Sequence, residues 1–158
     1  MNTTFSQKMM RKAIALSKKS IEKGGGPFGA VIVKDGKIVA SGHNMVTIKN
    51  DPTAHAEVSV IRKAANKLGS FSLAGCEIYT SCEPCPMCLS AIYWARIDKV
   101  YYANTKKDAA KIDFDDSFIY KQIALPYDKR SIPVVQMMRD EGLQAFKMWQ
   151  NKTDKTKY

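Results

Sequence analysis

His55 with Glu57 two residues on, followed by Pro84-Cys85-Pro86-Met87-Cys88, are the residue types of this chain that can do chemistry. One imidazole and two thiolates hold a zinc ion with a fourth position left open, and an acid that is not needed as a ligand stands beside them. That is the inventory for activating a water. Cysteine occurs at 76, 82, 85 and 88, so a second arrangement competes. With Cys82 as a further ligand, His55, Cys82, Cys85 and Cys88 would close a structural Cys3His site that does no chemistry. Pro84 separates Cys82 from the later pair, and Pro86 suits the first turn of a helix running from Met87 to Ala95. Cys85 at that helix start and Cys88 one turn on then point to the same side, with Cys82 upstream in the loop. The positive end of the helix favours thiolates over thiols.

The histidine half follows the same logic. Asp51-Pro52-Thr53 reads as a helix start, and Ala54 to Leu68 as a helix ended by Gly69. His55 and Glu57 fall in its first turn, and two helix starts that face each other would put the metal between them, with Glu57 in reach of the water. Taken singly, a histidine beside an apolar stretch reads as a core residue, and a first-turn acid as a complement to the helix dipole. Their joint occurrence with the downstream cysteines points to a catalytic metal. His43 has no such company and reads as a loop or strand-end residue.

Elements that could position these groups alternate along the chain. Met9, Met10, Ala13, Ile14, Leu16 and Ile21 make one face of an opening helix that stops at Gly24-Gly25-Gly26-Pro27. Ala30 to Val33 and Lys37 to Ala40 flank Asp35-Gly36, a strong hairpin signal. Glu77 to Thr80 and Lys99 to Ala103 read as further strands, and Ile132 to Met137 as an edge strand because of Pro133. A last helix spans Glu141 to Gln150. Helices alternating with strands after a hairpin predict the α/β class, a three-layer α/β/α sandwich with a mixed central sheet.

A chain of 158 residues suits one domain, without internal repeat or linker. Four cysteines, three of them at metal spacing, are poor material for a disulfide framework. With no apolar signal core and no stretch of membrane-spanning length, the expected location is the cytoplasm, with no membrane partner. The net charge of +10 admits nucleic acid, but its lysines and arginines are spread, with no basic run interleaved with aromatics. A solvated basic surface accounts for it equally well.

The pattern H-x-E followed by P-C-x-x-C is the signature of zinc nucleobase deaminases. Gly25 to Ile32, Asn50 to Glu57, Tyr79 to Cys88, Ala91 to Arg96 and Phe114 to Tyr120 extend the match over nearly the whole chain. On these segments the protein resembles the cytidine deaminase superfamily, and within it the small bacterial guanine deaminases. The zinc segments identify only the superfamily. Phe114-Asp115-Asp116-Ser117-Phe118 and the basic tail ending in Tyr158 are the discriminating parts. The resemblance implies a cytidine deaminase-like fold with one zinc per chain on His55, Cys85 and Cys88, and hydrolytic deamination of guanine, a small-molecule purine base, to xanthine and ammonia. It makes Glu57 the proton carrier and Asp116 the carboxylate that meets N1–H and the exocyclic amine, with a second shuttle role. It places Asn44 and the Ala56 backbone against the base, with Phe28 and Trp94 closing the pocket. It also implies a single zinc-dependent deaminase domain over 1–158 and a homodimer in which residues 139–158, a C-terminal helix and tail, are swapped between subunits, with Tyr158 as a lid. The alternative is a tRNA adenosine deaminase acting on a flipped-out adenosine. That branch more typically has a Lys-x-Gly segment after the fourth strand, where this chain reads Asn104 to Ala110 without glycine.

Overall fold

Alternation of side chains along the strands decides the layering. In the computed structural model, which describes residues 3–158, β1 (Gly29–Lys34) and β2 (Lys37–His43) form the expected hairpin. Asp35 and Gly36 both take positive φ, 49° and 71°, as a two-residue hairpin turn with the strands' own twist requires. β3 (Cys76–Cys82) pairs antiparallel with β1, and β4 (Lys99–Asn104) pairs parallel with β3, so the sheet order is β2-β1-β3-β4.

Successive strand residues face opposite sides. Ala30, Ile32 and Ile78 therefore pack in one cluster with Ala56, Val60 and Ala64 of α3 (Ala56–Leu68) and Ile92 of α4 (Pro86–Trp94). Val31, Val33 and Tyr79 turn the other way, against Ala13 of α1 (Phe5–Glu22). The mixed sheet thus lies between two helical layers, the sandwich expected. Each fully buried Ile or Val here stabilises the fold by roughly 1.5–3 kcal/mol. At Gly29 a Cβ would lie 2.4 Å from the Ala13 carbonyl oxygen and 2.6 Å from the Ser17 nitrogen, so the close approach of α1 to β1 requires glycine.

Three details differ from the sequence reading. α3 begins at Ala56, two residues late, because Asp51 forms a local turn: its carboxylate accepts from Thr53 N at 2.8 Å and Thr53 Oγ1 at 2.7 Å. Such a short side chain competes with the helix for the same backbone groups. Cys82 closes β3 instead of lying in a loop, because the ladder with β4 continues to the pair Cys82 and Asn104. Residues 132–137 form no strand and join no ladder, and their β-branched side chains stand exposed with no surface to pack on.

The chain divides into two compact units, one ending at Asp116 and one comprising Ser117–Tyr158. The first also holds α2 (Val46–Lys49) and α5 (Lys106–Ala110). The second contains α6 (Ser117–Ala124), a 3-10 turn at Tyr127–Lys129 and α7 (Arg139–Asn151). Arg130 ties this unit internally: its guanidinium donates to the carbonyls of Leu125 and Ile123 and lies over the Tyr127 ring at 4.5 Å. Among the described residues no helix is long and apolar enough to cross a membrane.

Candidate active site

His55 is the N-cap of α3, Glu57 its second residue, and Cys85 the N-cap of α4 with Pro86 at the first helical position. Neither cap side chain bonds its own helix backbone, so both are available to something else. His55 Nδ1 lies 3.6 Å from Cys85 Sγ and 3.5 Å from Cys88 Sγ, and the three ligand atoms fall within 4.8 Å of one another. Tetrahedral zinc with its ordinary bond lengths separates nitrogen and sulfur ligands by about 3.5 Å. The donor set fits that ion in both spacing and softness. The site follows the carboxyl end of β3, at the crossover to its parallel neighbour, where α/β sheets commonly bind ligands.

Cys82 does not join this group. Its Sγ points to the Thr105 carbonyl at 3.7 Å, and burial pushes its thiol up to about 11. Among the described residues the side chains gathered for a metal are His55, Cys85 and Cys88, so the closed Cys3His arrangement is not assembled. Cys85 is the natural thiolate of the pair, held down at about 4 because Cys88 donates to it, with His55 adding to the effect. That donation and burial push Cys88 upward. His55 is raised, chiefly by its hydrogen bond to Cys85. A thiolate is the form that binds a metal.

Glu57 is only 4% exposed. Its Oε1 accepts from Thr80 Oγ1 at 2.7 Å, and its Oε2 lies 3.4 Å from Cys88 Sγ. Burial raises its pKa against the opposing pull of the Thr80 bond. A carboxyl raised in this way can hold a proton under conditions where an exposed one stays ionised. Sequence reasoning took Thr80 only as a strand residue. Its sole signal is the period of two, which puts it with Ile78 on the side of the sheet that meets α3.

The remaining candidates differ in burial and in their partners. Asn44 is buried, and its Oδ1 accepts from Val46 N at 3.1 Å and Gly26 N at 3.4 Å, leaving its NH2 as the end available to a ligand. Its own N–H donates to the Phe28 carbonyl at 2.9 Å. Phe28 meets Phe114 edge-on at 5.0 Å, and Gly29 N–H donates to Ser81 Oγ at 3.0 Å, so the turn carrying Phe28 is held at two points. Ala56 is fully buried at the first position of α3. Asp116 is raised by partial burial first and by the Cys85 charge second. Trp94 is 68% exposed at the end of α4 and lines a surface depression with Ser90, Tyr93 and Arg96. Tyr158 belongs to the second unit and is exposed.

A buried glutamate beside an imidazole and two thiolates, past the carboxyl end of an interior strand of a helix-covered mixed sheet, is the arrangement of a zinc-dependent deaminase. The chain belongs to the cytidine and deoxycytidylate deaminase family, whose zinc-binding region matches residues 3–104. Along nearly its full length it is similar to the guanine deaminase of Bacillus subtilis strain 168, with 55% identity over 150 residues, 94% of this chain and 96% of that one. The X-ray structure of guanine deaminase from Bacillus subtilis superposes with a TM-score of 0.94 at 53% identity, covering 100% of this chain and 99% of that one. A tRNA-specific adenosine deaminase of Aquifex aeolicus is 43% identical over 98 residues, which cover 62% of this chain and 65% of that protein.

Proposed function

We propose that this protein is a guanine deaminase that hydrolyses guanine to xanthine and ammonia. The observation that carries the reading is Glu57, buried and hydrogen-bonded against a His/Cys/Cys donor set, in a chain similar end to end to a guanine deaminase. Similarity to the tRNA enzyme covers less of both chains, which places that reading second.

His55, Cys85 and Cys88 would hold a zinc ion, which would supply the Lewis acidity that activates a water. Glu57 accepts a proton from water as the water oxygen bonds to C2 of guanine, passes that proton to N3, then takes the remaining proton of the new C2–OH as its C=O forms and delivers it to the departing 2-amino group. The C2–N bond breaks and ammonia leaves. Asp116 accepts from N1–H and the exocyclic amine, adjacent donors that adenine lacks because its N1 is an acceptor. The Asn44 amide donates to the base, the Ala56 backbone lies against its edge, and Phe28 covers a face. Trp94 and Tyr158 complete the enclosure in the assembled protein, a role that rests on resemblance alone.

The assembly we infer is a homodimer with residues 139–158 swapped, each chain contributing one deaminase domain over 1–158. It is supported by the second unit, in which no side chain is buried and Val135, Met137 and Phe146 are 79, 76 and 73% exposed. Apolar surface of this extent marks an interface. Free thiols used as metal ligands suit the cytoplasm, where they stay reduced. Incubation with guanine, adenine, cytosine and a tRNA, following ammonia, tests the reading. Release from guanine supports it, and release from tRNA alone replaces it with adenosine deamination.

A further inference from the structure

Every acceptor on a catalytic carboxylate that is already committed narrows where its proton can go. Glu57 has two oxygens in different situations. Oε2 faces Cys88 of the metal-binding group, while Oε1 accepts a hydroxyl proton from Thr80 at 2.7 Å, a short bond in a place closed to water. Thr80 is itself fully buried in β3, paired across the ladder with Ala30. The strand backbone therefore fixes its Cα, and its β-branched side chain has few rotamers to choose from. A hydroxyl has one proton to give, and here it is given to Oε1.

We propose that Thr80 is a positioning residue for Glu57: its hydroxyl occupies Oε1, fixes the carboxylate plane and leaves Oε2 as the oxygen that collects and delivers the proton. The role rests on the reading of Glu57 as proton carrier. Thr80 acts through Glu57, whose Oε1 its hydroxyl bonds. Without the hydroxyl the carboxylate rotates among orientations, and either oxygen can present the proton at the wrong place. Partners of this kind typically change activity by about 10–100-fold.

Thr80→Val keeps the branched shape and removes the donor, and Thr80→Ser keeps the donor and removes the methyl. In full-length, zinc-loaded protein, Thr80→Val is expected to retain about one zinc per chain and a KM within about 3-fold, while kcat falls about 10–100-fold. Thr80→Ser restores most of kcat. A second readout uses no turnover: with glutamate carboxyl carbons labelled with 13C and the Glu57 signal assigned by Glu57→Gln, the signal in substrate-free protein shifts or broadens in Thr80→Val and stays in place in Thr80→Ser. The proposal is overturned by wild-type kcat in Thr80→Val, by equal losses in both variants, by an unmoved carboxyl signal, or by loss of zinc or fold in Thr80→Val, which would make Thr80 structural. If the wild-type chain releases no ammonia from guanine, the functional reading fails separately, and the carboxyl signal still reports on the bond.

Discussion

The unit ending at Asp116 and the unit from Ser117 to Tyr158 treat apolar side chains in opposite ways. In the first, Ile32, Val60, Leu73 and Ile78 are wholly buried, because the sheet offers two faces and a helix covers each. In the second, α6 and α7 bury nothing, although Phe118, Ile123, Phe146 and Trp149 lie on them. The difference separates apolar surface that a segment can bury by itself from apolar surface that it leaves exposed. The first unit contains a core and carries the metal-ligating side chains. The second carries apolar surface at a density that water does not reward.

The sharpest break between the units should come from the metal ligands. Cys85→Ser is expected to abolish turnover and to take zinc from about one per chain toward zero, whereas Cys82→Ser keeps it. Metal analysis of the two purified variants decides, and equal loss from both would restore Cys82 to the ligand set. Glu57→Gln comes next: zinc and guanine binding persist while kcat drops about 10²–10⁴-fold. Near-normal turnover there would remove Glu57 from the reaction.

Stability measures the comparison itself. Ile78→Ala in the first unit should cost about 2–5 kcal/mol by denaturant titration. Phe146→Ala should cost under about 0.5 kcal/mol in protein dilute enough to be monomeric. A Phe146→Ala cost that grows with protein concentration identifies a second copy of the chain as its cover, and a cost equal to that of Ile78→Ala at all concentrations erases the distinction. At the tail the expected effect falls on turnover and not on stability. Deleting Lys155 to Tyr158 should leave zinc content and melting temperature unchanged while slowing guanine turnover about tenfold, or about 1.4 kcal/mol. Co-refolding that truncated chain with full-length Glu57→Gln should recover activity if the lid acts in trans, since one site then has both parts. Unchanged turnover in the truncated protein would return the tail to solvent.

Cys85 with Cys88, His55 with Glu57, and the hairpin were legible in the sequence because each pattern spans only a few residues. Cys85 and Cys88 are a turn apart behind Pro86, and Asp35-Gly36 selects its own turn type. Alternation along the strands was local too, and it was enough for the layered class. Other features were decided only by the tertiary structure, because they depend on residues far apart in the chain. The ladder to Asn104 drew Cys82 into β3 and away from the metal-ligating group, and Thr80 met Glu57 from 23 positions further along the chain. Residues 132–137 carried the composition of a strand and found no ladder to join. Strand-forming composition is a local property. A strand also needs an edge with unpaired hydrogen-bonding groups, and that edge exists only once the rest of the chain has folded.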